Sequence, residues 1–332
     1  MLTVFLYTKG IAKPLTSDDV ARLKLFGSRV HSLGSFYDPY DYSSDPVIDP
    51  AALLVINSAL QGSPLLPNLQ YLSLELPSTD SPNDLCILPL LCSPHLRQLS
   101  LTNSAERDWT AAIHDVSLFV QHLAQAAALR DLLIDIPINQ YALDSISSLT
   151  DLHSLIITPD DNASIDNHFF SSMSKFDSLD TLDLSCAQIL WKQTSRSQKL
   201  HFHKLTVLRL KINFEDALTL FSIISSTSLV EVEYRFILPA DPPYPFRWSR
   251  LFDLIKTTSN SVNTLILKPS SSVHVEDPVV TARFRKLYSG IPFSELSSSL
   301  LELITPGHRF PALLFPLPRR SSKNGHSLAH DE

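Results

Sequence analysis

Residues 179–210 read LDTLDLSCAQILWKQTSRSQKLHFHKLTVLRL, and the stretch opens and closes with the same six-residue phrase, Leu-x-x-Leu-x-Leu. Close copies of the phrase recur along the chain. They begin at Leu69, Leu96, Leu129 and Leu152 before this stretch, and weaker copies begin at Leu229 and Val262 after it. Successive starts are separated by 23 to 33 residues, with a mean close to 28. This spacing indicates one structural unit that is repeated along the chain.

Each phrase predicts a short strand, and the residues between phrases predict a return segment. In the clearest return segment, Phe119, Leu123 and Ala126 recur at helical spacing in an alanine-rich run. Helices are predicted over 84–91, 116–129, 165–176, 215–225 and 248–257. A strand followed by a helix in the same direction produces parallel strands joined by crossovers. The period and pattern are typical of leucine-rich repeats, so the predicted fold is an α/β leucine-rich-repeat solenoid (a horseshoe) with a parallel concave sheet and convex helices.

Residues 1–50 are predicted to form an N-terminal helical segment and a loop. Within them, one amphipathic helix is predicted over 11–33, because Thr16 can cap it and Asp19 can bond back to the cap. Dense Asp, Pro, Ser and Tyr over 37–50 predict the loop.

About eight repeats are predicted over 51–270, and the region opens with a short helix over 51–60. The repeat fades after residue 270. A C-terminal cap with one or two helices within 279–304 is predicted over 271–315. Residues 316–332 lack apolar periodicity and are predicted to be a disordered tail.

The composition argues against several partners and compartments. A net charge of −7 and a pI near 5.9 provide no basic footprint for nucleic acid. Three cysteines do not make a disulfide framework and suit a reducing compartment. No apolar run is long enough to span a membrane. A cytoplasmic or nuclear protein without membrane contact is therefore expected.

No residue pattern in the chain predicts a reaction centre. The 7 glycines form no phosphate-binding loop, and His201 and His203 lack the further ligands that a zinc site needs. Cys86 and Cys92 are predicted to be small core residues, and Cys186 is predicted to serve a turn. The pair 160–161, two aspartates, is predicted to be a loop or helix-cap pair. No catalytic residue, cofactor or metal site is expected, and the chain is predicted not to be an enzyme.

A leucine-rich repeat usually carries Asn or Cys at the ninth position, counted from the first leucine of the phrase, where the side chain bonds the turns between strands. Only Asn213 matches that position here, and Asp160 could substitute for the asparagine in an earlier unit. Other groups must therefore satisfy the backbone of the remaining turns.

The predicted concave face consists of the third, fifth and seventh residues of each phrase, because alternate residues of a strand point to opposite faces. The residues selected as partner-binding are Tyr71, Glu75, Gln98, Asp131, Leu133, Asp135, Ile156, Asp183, Val207, Arg209, Lys211, Glu233, Arg235, Ile266 and Lys268. The face is predicted to be acidic in its first two-thirds and mixed to basic afterwards. Two interpretations remain open: an ordinary polar strand face, or a surface for a protein partner of complementary charge, with the apolar residues as anchors.

Part of the chain resembles a known family. The run 13–19 (KPLTSDD), the residues Arg22, Phe26, Arg29, Val30 and Leu33, and the run 64–72 (PLLPNLQYL) are similar to the region after the F-box in basidiomycete F-box proteins with irregular leucine-rich repeats. The resemblance covers about residues 11–74.

The resemblance implies a substrate receptor of a cullin-RING ubiquitin ligase, in which the repeats hold the substrate and the F-box docks a Skp-type adaptor. The F-box itself would precede residue 11, where the sequence has ten residues. We therefore expect either a truncated product or a chain that has lost adaptor docking, and we assign no residue to the adaptor. The alternative is a free-standing leucine-rich-repeat scaffold or regulator with no ubiquitin link.

Overall fold

A computed structural model describes residues 15–34, 50–76, 88–103, 113–126, 128–158, 164–186, 188–191, 199–236, 248–259, 261–262, 264–269 and 301–303. Within these residues, ten strands form one parallel sheet, and two further pairs of short strands lie apart from it. Helices occupy segments between the strands. The prediction of an α/β chain built on a parallel sheet is confirmed.

The large sheet follows the order of the chain. Its strands are β1 (Ser32–Gly34), β2 (Tyr71–Leu76), β3 (Gln98–Asn103), β4 (Asp131–Asp135), β5 (Ser154–Ile157), β7 (Thr181–Ser185), β10 (Val207–Ile212), β12 (Glu231–Phe236), β13 (Thr264–Pro269) and β14 (Leu301–Leu303). The short pairs join β6 (Ser164–Asp166) to β8 (Gln188–Leu190), and β9 (Leu200–His201) to β11 (Ile224–Ser225). The ten strands of the large sheet therefore lie side by side in the order in which they occur along the chain.

The phrases pair in register, so equivalent positions of neighbouring phrases lie side by side. Leu182, for example, pairs with Leu155 on one side and with Leu208 on the other. In seven of the eight phrases the fourth position is at most 1% exposed, and these side chains form one buried row across the sheet: Leu72, Leu99, Leu132, Leu155, Leu182, Leu208 and Val232. Leu265, in the eighth phrase, is half-buried. The first and sixth positions add further buried rows, and side chains of the return segments, such as Phe119, Phe170 and Phe221, complete the large core.

Backbone bonds join neighbouring units at the start of each strand. The Arg97 carbonyl accepts the N–H groups of Arg130 and Asp131 at 2.7 and 3.0 Å, and the Arg130 carbonyl accepts those of His153 and Ser154 at 2.7 and 3.0 Å. The same pattern runs from His31 to Glu231. This ladder satisfies backbone groups that the turns would otherwise leave unpaired.

Buried serines that lie three residues before a phrase bond to backbone carbonyls of the preceding unit. The hydroxyls of Ser93, Ser226 and Ser259 donate to the carbonyls of Pro67, Leu205 and Leu229 at 2.7, 3.1 and 3.3 Å. The Asn213 side chain caps the helix that follows it, where its Oδ1 accepts the Asp216 N–H at 2.8 Å.

The return segments are less uniform than predicted. The helices are α1 (Ser17–Gly27), α2 (Pro50–Leu60), α3 (Ile113–Ala126), α4 (Gln140–Ile146), α5 (Asn167–Met173), α6 (Phe214–Ile223) and α7 (Trp248–Thr258), with a 3-10 helix at Leu88–Leu91. Helix α4, which Asn139 caps, was not predicted. Residues 84–87 of the predicted helix 84–91 lie outside the described part, and the rest of it is the 3-10 turn.

The N-terminal helix is shorter than the predicted span 11–33. Thr16 and Asp19 form the predicted capping box, but α1 ends at Gly27, where the backbone approaches the Leu65 carbonyl. Beyond it, Leu33 pairs with Leu72, because strand β1 extends the sheet by one strand that the sequence pattern did not indicate. Pairing with the sheet thus overrides the helical spacing of the apolar residues.

The C-terminal prediction falls mainly outside the described residues. Of the cap predicted over 271–315, only Leu301–Leu303 is described, and it forms strand β14 beside β13, where the helical pattern predicted helix. The tail 316–332 lies wholly outside. Among the helices that the structure describes, none is long and apolar enough to cross a membrane.

Candidate functional site

The candidate site is the face of the large sheet that carries the third, fifth and seventh phrase positions, which we call the open face. Along β4, burial alternates between the half-buried Asp131 and Leu133 and the fully buried Leu132 and Ile134. The register repeats this alternation on the neighbouring strands. A surface is therefore assembled from residues that lie more than twenty positions apart in sequence.

The pairing register assigns all the predicted partner-binding positions to the open face. Tyr71, Gln98 and Asp135 are exposed, and Asp183 and Glu233 are buried. The half-buried ones are Glu75, Asp131, Leu133, Ile156, Val207, Arg209, Lys211, Arg235 and Ile266. Lys268 pairs with Arg235 through the backbone, and the surroundings of its side chain lie outside the described part.

The fifth positions from β4 to β13 form a line across the open face, which we call the central row. The row reads Leu133, Ile156, Asp183, Arg209, Glu233 and Ile266 on successive strands. Neighbouring members are separated by about 4.8 Å, the distance between paired strands. The row therefore brings two aliphatic side chains next to a run of alternating charges.

Four charged residues of β10 and β12 form an ion-pair network within the face. Arg209 Nη2 lies 2.9 Å from Glu231 Oε1, and Arg209 Nε lies 3.6 Å from Glu233 Oε2. Arg235 Nε lies 2.7 Å from Glu233 Oε1. Two of the four predicted cations, Arg209 and Arg235, are thus paired with acids of the same face. The later part of the face is therefore less basic than the sequence predicted.

Asp183 is the exception in this charged region. It is only 8% exposed, and within the described part its carboxylate takes part in no hydrogen bond and in no ion pair. Burial raises the pKa of the Asp183 carboxyl, whereas the positive charges of Arg235 and Arg209 lower it and the negative charge of Glu233 raises it further. A buried carboxylate without a donor costs free energy.

The acidic side chains of β4 flank the aliphatic end of the central row. Asp131 and Asp135 lie on either side of Leu133 along the strand, about 13 Å apart for four residues of extended chain. The Thr158 hydroxyl donates to Asp135. Neither carboxylate has a cationic partner among the residues that the structure describes.

His201 and His203, the two possible zinc ligands in the sequence, lie at the end of β9 and just after it. His201 ends β9, where its Nδ1 lies 2.7 Å from the Ser225 hydroxyl, and His203 is exposed. In the described ranges, no three His, Cys, Asp or Glu side chains are grouped as a metal site.

Two of the three cysteines lie in the described part, and both are shielded from solvent. Burial raises the pKa of the Cys92 thiol to about 11 and, together with the charge of Asp216, that of Cys186 to about 12. These thiols are therefore protonated and poor nucleophiles at neutral pH. The Cys186 N–H donates to the Lys211 carbonyl at 2.9 Å. This is a backbone bond, so the turn role of the Cys186 side chain stays a prediction. Cys86 and the pair 160–161 lie outside the described residues.

A second buried carboxylate, which the sequence analysis missed, has a full set of donors. Asp216 accepts the Ile189 N–H at 2.8 Å and the Trp191 Nε1–H at 2.7 Å, and Asn213 also donates to it. The Asn-x-x-Asp spacing at the start of α6 was the available signal. Asp216 therefore holds the segment after β7 in place, and its complete bonding contrasts with that of Asp183.

Comparison of the chain with models of known protein families finds no match, and neither does comparison with characterised proteins.

Proposed function

We propose that this chain is a leucine-rich-repeat solenoid that binds a protein partner on the open face, which would be the concave surface of the horseshoe, and that it acts without catalysing a reaction. The observation that carries the proposal is the strand order. One parallel strand per repeated phrase, placed in chain order and in register, is the arrangement that stacked repeats produce.

The chemistry of the open face supports binding. Exposed Tyr71 and half-buried Leu133 and Ile156 offer apolar contact area among polar and charged side chains. Interfaces commonly combine such anchors with a polar surround.

Site-specific photocrosslinking in cells would test the proposal. A photoreactive amino acid is placed at Ser73, which is exposed on the open face, and in a matched variant at Thr150, which is exposed in the turn before β5. We expect a discrete crosslinked protein from Ser73 that the Thr150 variant does not produce. The same background of products from both positions would contradict a binding role for the open face.

We further propose that the partner is a substrate and that the protein is a divergent F-box-type receptor of a cullin-RING ubiquitin ligase. The support is the resemblance of residues 13–33 and 64–72 to basidiomycete F-box proteins. In the structure these two segments are neighbours, since Asn68 donates to the Ser28 carbonyl at 2.7 Å and β1 pairs with β2.

Co-purification with a Skp-type adaptor tests this finer proposal. The tagged protein is expressed in a basidiomycete host and recovered, and the adaptor and the cullin are measured by quantitative mass spectrometry. Recovery of both above an untagged control is expected. If the Ser73 crosslink forms but no adaptor is recovered, the free-standing scaffold is the better interpretation.

A further inference from the structure

The charges of the open face do not balance evenly along the sheet. The two arginines of β10 and β12 are matched by Glu231 and Glu233, as described above. Asp183 is a further acid of this face, and none of the residues that the structure describes donates a hydrogen bond to its buried carboxylate. With Asp131 and Asp135, it surrounds an aliphatic centre formed by Leu133 and Ile156 on adjacent strands. This group of five residues is called the acidic patch below.

We propose that the acidic patch recognises a basic protein segment, which places a lysine or arginine side chain at Asp183 and an aliphatic side chain over Leu133 and Ile156. The inference rests on the proposed binding function and names the class of its partner. An incoming cation would supply the donors that the buried carboxylate lacks, and a charge-assisted hydrogen bond is the strongest type available there.

The layout of the acidic patch limits the partner further. Along the central row, Asp183 lies one strand from Ile156 and two from Leu133, or about 5 and 10 Å. Side chains roughly two to four positions apart on an extended or helical segment match these distances. Asp131 and Asp135 would attract additional positive charge on either side of the aliphatic residue.

A random linear peptide library displayed on phage, selected against the full chain, tests this inference. The captured peptides are then measured on Asp183→Asn and on the double variant Asp131→Asn with Asp135→Asn. Asp177→Asn is the matched control, because it removes one exposed carboxylate from the turn before β7. Ile156→Arg blocks the open face itself. Circular dichroism melts check that each variant folds.

We expect enriched peptides with an aliphatic residue and a lysine or arginine two to four positions away. Their affinity should fall by about tenfold on Asp183→Asn, fall in the double variant as well, and stay unchanged on Asp177→Asn. The inference would be overturned if Ile156→Arg abolishes peptide binding but the captured peptides are neutral or acidic. It would also be overturned if their binding does not change on Asp183→Asn. In either case the binding function of the open face would stand. Peptides that Ile156→Arg does not affect would contradict both.

Discussion

Replacing Leu208 with Ala tests whether the repeated leucines hold the stack together. Leu208 is fully buried in β10, and its register partners are Leu182 and Val232. The substitution removes three carbon atoms, or about 2.4 kcal/mol at ~0.8 kcal/mol for each buried carbon. The cavity left between two packed neighbours adds to this, so a total loss of about 3–4 kcal/mol is expected.

Leu190 provides a matched control, because it also lies in a strand but is 47% exposed. Leu190→Ala loses about half of the transfer free energy and leaves no closed cavity, so about 1 kcal/mol is expected. Urea unfolding followed by far-ultraviolet circular dichroism measures both variants against wild type. Equal losses of stability for Leu208→Ala and Leu190→Ala would refute the assignment of the fourth phrase position to the core.

Three further predictions concern single residues. Because burial raises the pKa of the Asp183 carboxyl, the folded state loses stability as pH rises through that pKa. The melting temperature of Asp183→Asn should therefore exceed that of wild type by more at about pH 7 than at about pH 4, and a constant difference would contradict this. In Gly27→Ala, the new methyl group would overlap the Leu65 carbonyl oxygen, so thermal melts should show a loss of about 1–3 kcal/mol. Asp216→Ala leaves the indole N–H of Trp191 without its acceptor, so stability should fall by about 2 kcal/mol and tryptophan emission should shift to the red; unchanged emission would argue against this bond.

Much of the sheet could be predicted because its signal is local. The phrase beginning at Leu205 marks strand β10, and the alternation of Leu208, Arg209 and Leu210 assigns side chains to the two faces. The two elements that the sequence did not predict, helix α4 and strand β1, are short. Helix α4 has only seven residues, and strand β1 has three, which form a strand through pairing with β2.

The candidate site could be predicted as a set of positions but not as a distribution of charge. The sequence predicts Arg209 as part of the mixed-to-basic end of the face, yet its guanidinium pairs with Glu231, 22 residues away. The sequence places Asp183 among several acids of the face, yet in the described part of the chain it is the one of them that is buried and receives no hydrogen bond. No sequence pattern distinguishes these two outcomes, because each depends on which side chains neighbouring strands bring together.

The sequence by itself determined which residues alternate between core and surface, because apolar side chains repeated every two positions can be buried only on one face of a strand. The tertiary structure decided which charges cancel and which remain, because the free energy of a charge depends on the neighbours within a few ångströms and on its access to water. In this protein those neighbours come from other units: Arg209 pairs with Glu231, whereas none of the described residues donates a hydrogen bond to the buried Asp183.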